Sequence, residues 1–423
     1  MKKHIKLLVV LGIILVGSFS FYLFKGYKKD ALVYENNKIK PSSSGIAMML
    51  ETSAGSGNYE MTTRSEWPTE GYVFNANLSK CENGSELSWN NENKKVLMSG
   101  NKSDKCYVYF DVYVKPQVLL ADYVKSLYTG TQGENGIYYH DANLTNGAGD
   151  NSYRYSGASD QVNNYVCFGS STTPCPADNL YRIIGVFGDK VKLIKSDYAT
   201  SALLGTDGDY KQAYTATGFS SSTYKGNNLA NVAAYNWNKS NQNTWSLSNL
   251  NKTNLNKNFI TNIGADWAAK IAETTWKVGG NTYENIREQP AKTAYQNEIV
   301  SPVTTNTTDN ATDYSAKVGL MYVSDYMYAA PQDKWTLVGY NSDASKDYRA
   351  ATSVNWMYMG LVEWTISRSA GNAYSVFVVG NTGLVNNNTA NNAYGVRPVF
   401  YLTSFVNYAS GSGTAADPIL VDL

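Results

Sequence analysis

Side chains able to do chemistry are few in this sequence of 423 residues. Carboxylates come first. Glu363, beside Trp364, and the turn Asp207-Gly208-Asp209 could act as general acid and base on a glycosidic bond, the task two flanking carboxyl groups perform. Asp207 and Asp209 are also spaced as calcium ligands, but no downstream Glu completes such a loop. An acidic turn around a glycine is ordinarily just a turn. Histidine offers less. His4 lies in the N-terminal signal, and His140 stands alone in Tyr138-Tyr139-His140-Asp141, too few for a metal cluster. The chain has no Gly-x-Ser-x-Gly elbow, phosphate loop or His-Glu-x-x-His motif. The expectation is no catalytic constellation, no cofactor and no metal.

The four cysteines fall in two local pairs. Four allow three connectivities, and locality favours Cys81–Cys106 and Cys167–Cys175, which would leave no thiol nucleophile. Closing the first loop is worth about 3 kcal/mol on the chain-entropy argument. Such bonds persist in an oxidising compartment.

What remains is binding chemistry. The chain holds 34 Tyr and 9 Trp among many Asn, Ser, Thr and Gly. Tyrosine gives large rigid contact area at low entropic cost, and the small polar residues give adaptable hydrogen bonds. With 17% charged residues and a net charge of +1, nothing favours nucleic acid.

These groups need elements to position them. Lys2, Lys3 and Lys6 precede an uncharged run over residues 7–24, about 27 Å if helical, close to a bilayer's ~30 Å core. This reads as a transmembrane anchor or a signal, residues 1–24, with a signal cleaved near Ser18 or Ser20 as the alternative. Either reading exports the protein, and the first ties it to a bacterial cell membrane in a single pass with the C-terminal bulk extracellular. Residues 25–46 read as a linker. Residues 47–115 carry short alternating strands, at 71–74, 86–89, 95–98 and 106–110, and predict a small disulfide-stapled all-β sandwich. Pro116 marks a boundary. Residues 117–423 mix helix and strand signals and predict an α+β domain. Phe259, Ile263, Trp267 and Ile271 repeat every four residues as one helix, closed by Gly279-Gly280. The segments 140–165, 205–245 and 300–316 read as long surface loops.

The C-terminal part carries a resemblance. Trp356-Met357-Tyr358-Met359-Gly360-Leu361, Glu363-Trp364-Thr365-Ile366-Ser367-Arg368 and Gly395-Val396-Arg397-Pro398-Val399-Phe400-Tyr401-Leu402 are followed by Gly411-Ser412-Gly413-Thr414-Ala415-Ala416-Asp417-Pro418. The series resembles a domain of unknown function found in exported proteins of Gram-positive gut bacteria. The similarity covers about residues 180–423. That family in turn resembles the formylglycine-generating-enzyme branch of the C-type lectin fold. Its enzymes use a cysteine pair near the C-terminus, which this chain lacks after Cys175, so the oxidase activity does not carry over. Variable proteins of diversity-generating retroelements share that fold and diversify asparagine codons on its binding surface. Carried onto this chain, the resemblance implies a ligand-binding set between Trp364 and Arg397. Its members are Arg368, Asn372, Tyr374, Ser375, Phe377, Asn381, Thr382, Asn386, Asn387, Asn388, Asn391, Asn392 and Tyr394. Arg397 itself reads as a paired structural residue at a strand start.

The expected function is a surface-displayed binding protein, an adhesin or receptor, taking an extracellular protein or glycan. The alternatives are a cell-envelope glycan hydrolase using paired carboxylates and a structural envelope protein. If Tyr374, Asn387 and Tyr394 lie on the binding surface, replacing them together would abolish binding and leave the melting temperature nearly unchanged.

Overall fold

A computed structural model describes residues 39–422, other than 42, 44, 102, 115 and 303–311. It divides into two compact units, Met1–Pro116 and Gln117–Leu423. The expected membrane span at 7–24 lies outside the described residues. Among the described residues, no helix is long and apolar enough to cross a membrane.

In the first unit, Ile46–Glu51 buries alternate residues, the period-two pattern of a strand with one covered face. It pairs in parallel with Cys106–Val112 and antiparallel with Tyr59–Thr62. Tyr72–Phe74 and Lys80–Cys81 pair with Cys106–Val112 as well. A separate hairpin, Glu86–Asn90 with Lys95–Ser99, adds Val96 and Met98 to the same core as Met48, Val108 and Phe110. Cys81 and Cys106 are directly opposed across antiparallel strands, and they are bonded. The unit begins before residue 47: Ile39 lies against this core, and its carbonyl accepts from Trp67 Nε1 at 3.1 Å.

The second unit is built on a seven-stranded sheet whose central strands are Leu180–Phe187 and Lys190–Lys195. Both are buried almost throughout, as strands covered on two faces are. A four-stranded sheet follows the order Gly280–Asn281, Glu363–Ser369, Ser375–Val379, Val385–Thr389. Ala233–Asn236 bridges Tyr210–Ala213 and Ala393–Tyr394.

The expected α+β class is corrected by these elements, while the expected N-terminal transmembrane helix lies outside the described residues. The fold is mostly β, and its helices are short. One reason is visible at Gly264, which takes φ +88°. That positive φ breaks the helix expected from Phe259 to its close at Gly279-Gly280. Ile260–Asn262 ends the run begun at Leu250–Phe259, Ala265–Ala269 follows as a short helix, and Thr274–Lys277 is a strand. The apolar four-residue spacing survives as burial of Phe259, Ile263, Trp267 and Ile271, without one continuous helix.

The expected surface loops are corrected too. They contain the strands Ser152–Tyr155, Tyr210–Ala213, Ala233–Asn236 and Asp313–Ala316. Some of their asparagines are internal: Asn164 and Asn243 are fully buried, as is Asn254 in the following helix Leu250–Phe259. Each donates its side-chain amide to main-chain carbonyls, Asn164 to Ile183 at 2.7 Å and Asn254 to Leu204 at 2.8 Å. Asn243 spans the carbonyls of Ser369 and Ser375 at 2.8 and 2.9 Å. A buried irregular backbone must find partners for its polar groups, and these amides supply them.

Candidate ligand-binding site

The residues implied by the resemblance fall into three layers. Arg368, Ser375, Phe377 and Tyr394 are buried. Arg368 donates from Nε to the Val278 carbonyl at 2.7 Å, and Tyr394 lies 4.8 Å from the Trp364 ring. Buried side chains offer no contact surface to a macromolecule, so these four are corrected to core. Their strands have both faces covered, an outcome the alternation rule for half-exposed strands does not anticipate.

Asn372, Asn381, Asn386, Asn387, Asn388 and Asn392 are half-buried. Three of them, Asn372, Asn388 and Asn392, hold their own turns. Asn372 Oδ1 accepts from the Tyr374 and Ser375 amides at 3.0 and 2.7 Å, an Asx turn. Asn388 donates to Tyr394 Oη and accepts from Asn392 Nδ2. Asn386 Oδ1 accepts from Arg287 at 3.0 Å. Tyr374, Thr382 and Asn391 are exposed.

The candidate carboxylates are committed elsewhere. Glu363 is buried, with both oxygens taken by Arg397 at 2.7 Å. Burial pushes its carboxyl up, and Arg397 pulls it back. Asp209 is fully buried and accepts the amides of Lys239 at 3.0 Å and Leu250 at 2.8 Å. Asp207 accepts from Asn258 Nδ2 at 2.6 Å. His140 is buried among Tyr328 and Trp335, and its Nδ1 accepts from the Ala148 amide at 3.0 Å. Burial, with Arg154 adding to it, drives its pKa well below the usual histidine range, so the ring is neutral. Among the described residues, no group of three or more His, Cys, Asp or Glu could hold a metal ion.

The site that sequence reasoning missed lies at the end of Lys190–Lys195. In that strand Val191, Leu193 and Ile194 are all buried, so Lys192 and Lys195 must also point inward. A lysine inside a doubly covered strand is rare unless paired, and that was the available signal. Lys192 obeys the rule: its Nζ lies 2.6 Å from Asp325. Lys195 does not. It is 1% exposed, and no carboxylate, carbonyl or hydroxyl among the described residues accepts from its Nζ. The nearest aromatic ring is that of Tyr181, directly across the strand pair, with its centroid 5.9 Å away.

Lys195 lines a cavity of about 330 Å³, within the ~300–1,000 Å³ usual for ligand pockets. One rim is Pro176, Ala177 and Asp178, set by the Cys167–Cys175 disulfide and by Asn179, whose carbonyl accepts from the Phe168 amide at 2.9 Å. The loop carrying Asn227, Asn228 and Asn231 also lines it. Asp197 anchors that loop, accepting from Tyr224 Oη at 2.7 Å and from the Asn227 amide at 2.9 Å. Tyr198 also lines the cavity, and its Oη donates to the Leu361 carbonyl at 3.2 Å, while Arg397 stands 5.7 Å from its ring centroid. The Glu363–Arg397 pair therefore supports this residue of the pocket wall.

Electrostatics mark the cavity as unfinished. Burial pulls the Lys195 ammonium down, and Asp178 and then Asp197 pull it back up. Burying an ammonium without a hydrogen-bonded partner costs several kcal/mol (order of magnitude). A ligand bearing an anionic group would supply the missing acceptor.

The same loop reaches the segment implied by the resemblance. Thr223 Oγ1 lies 2.9 Å from the Asn381 carbonyl oxygen and 2.5 Å from that of Gly360, with a single proton to share between them. Gly360 has φ +85°, and a Cβ there would come 1.8 Å from the Thr223 carbonyl oxygen, so only glycine permits this approach. No protein-family model, curated protein or solved structure matches the chain.

Proposed function

We propose that residues 117–423 are the ligand-binding part of a protein displayed outside the cell. Binding is concentrated in the Lys195 cavity, with Tyr374, Thr382 and Asn391 left as outer contacts. The observation that carries this reading is Lys195, a residue 1% exposed that lines an open cavity and whose ammonium has no acceptor among the described residues. Export is supported by the two disulfides, which an oxidising compartment maintains. The hydrolase alternative loses its leading carboxylate, because Glu363 has both oxygens bonded to Arg397. The diversified-surface idea narrows to the exposed positions, since Asn372, Asn388 and Asn392 bond within their own turns.

Saturation-transfer NMR tests the reading, with the full chain, both disulfides intact, and a mixture of small organic acids, sugar acids and amino acids. At least one compound should receive saturation from the wild type and none from Lys195→Met. If no compound does, or if the variant behaves as the wild type, the cavity is not the binding site.

A further inference from the structure

The charges lining the cavity constrain its ligand more tightly than Lys195 alone. The lining holds one ammonium, Lys195, and two carboxylates, Asp178 and Asp197, a net charge of −1. A simple anion would gain Lys195 but meet two negative groups. An anion that also carries a positive charge avoids that conflict.

The two carboxylates are not equivalent. Asp197 is occupied: Oδ1 accepts from the Tyr198 amide at 2.7 Å and Oδ2 from Tyr224 Oη and the Asn227 amide. Asp178 is exposed on the rim, and among the described residues its side chain takes part in no hydrogen bond or ion pair. One cavity thus presents a cation in its wall and a carboxylate at its rim. The two interact through the field of Asp178 on Lys195 but form no hydrogen bond or ion pair with each other or with other described residues. Asn227, Asn228 and Asn231 add exposed polar side chains to the lining.

From this pairing we infer that the cavity takes a small zwitterion, a free α-amino acid, with its carboxylate on Lys195 and its ammonium on Asp178. This rests on the reading of the cavity as the ligand site and adds the class of ligand. Val232 and the ring of Tyr198 supply the apolar lining for a side chain, and about 330 Å³ leaves room for one beyond the α-carbon groups. Lys195 is held at the end of a central strand, and Asp178 on a turn tied down by the Cys167–Cys175 bond. Both charges are therefore in place before the ligand arrives, which favours affinity.

Isothermal titration of the disulfide-intact full chain tests the inference. The probes are acetate and the twenty common amino acids, each with its N-acetyl form, which lacks the ammonium, and its amino-alcohol form, which lacks the carboxylate. At least one amino acid should bind, and both of its blocked forms should bind at least tenfold more weakly. Asp178→Asn, a change at an exposed rim position that leaves the core untouched, should weaken the amino acid at least tenfold, as should Lys195→Met. If an N-acetyl form or acetate binds as well as the free amino acid, and Lys195→Met abolishes it, the zwitterion inference is overturned and the cavity reading stands. If neither amino acids nor simple carboxylates bind, both are overturned.

Discussion

Lys192 and Lys195 lie on the same central strand, each 1% exposed, and their side chains point to opposite faces. Lys192 meets Asp325 at 2.6 Å within a buried network that includes Arg154, 3.8 Å from the same carboxylate. Lys195 meets a cavity. Equal burial with unequal pairing separates a lysine that holds the fold together from one that awaits a partner.

The first prediction follows from that contrast. Lys192→Met leaves Asp325 buried without its closest cation and should cost about 3–5 kcal/mol in urea unfolding, as breaking a buried pair does. Lys195→Met removes a desolvated charge that has no partner, so the same experiment should find stability unchanged or raised. Equal losses in the two variants would mean that Lys195 has an internal partner.

The second concerns pH. Burial, the largest effect on Lys195, lowers its folded-state pKa below the ordinary lysine value of about 10.4. The unfolded chain then binds the proton more tightly than the folded one between those two values, so stability rises with pH across that window. The penalty is fully present below the folded pKa and is relieved as pH climbs toward about 10.4. The wild type should therefore gain on Lys195→Met when unfolding is measured at rising pH. A difference that stays flat or widens in the variant's favour would contradict the assignment.

The third distinguishes structure from catalysis at Glu363. Glu363→Gln breaks a buried bidentate pair and leaves the Arg397 guanidinium short of a counter-charge. Unfolding should be easier by about 3–5 kcal/mol. A variant of wild-type stability that had lost a glycan-cleaving activity would restore the hydrolase reading.

The fourth separates two tyrosines of the implied binding set. Tyr374 is 45% exposed and Tyr394 fully buried. Tyr374→Ala should change stability by less than about 0.5 kcal/mol. Tyr394→Ala should cost about 3–5 kcal/mol, the usual loss for a large buried aromatic. The combined replacement of Tyr374, Asn387 and Tyr394 would then lower the melting temperature, so loss of binding in that variant says nothing about the surface.

Local pattern was legible where a single rule governs. The expected strands at 71–74, 86–89, 95–98 and 106–110 all form, whereas Ile46–Glu51, which begins inside the expected linker, is not among them. Proximity identified both cysteine pairs. Legibility failed where tertiary context reverses a local preference. Asparagine normally signals a surface turn, but Asn164, Asn243 and Asn254 are interior because irregular buried backbone needs their amides. Gly264 broke a helix that apolar spacing alone would continue. The resemblance places Ser375 and Tyr394 on a surface, and they are covered by elements distant in sequence. Lys195 was passed over for the opposite reason: a lysine at a strand end is usually solvated, and its burial depends on the Pro176–Asp178 rim and the 227–232 loop closing around it.

The central claim is that the Lys195 cavity is where this protein binds its ligand. The direct measurement is the thermal midpoint of the full chain, with a panel of amino acids, sugar acids and small carboxylates, compared with Lys195→Met. Binding to the folded state at a hundredfold excess over Kd adds about 2.7 kcal/mol, enough to shift the midpoint by several degrees. The account predicts such a rise for at least one compound in the wild type and none in Lys195→Met. No rise with any compound, or the same rise in the variant, would contradict it.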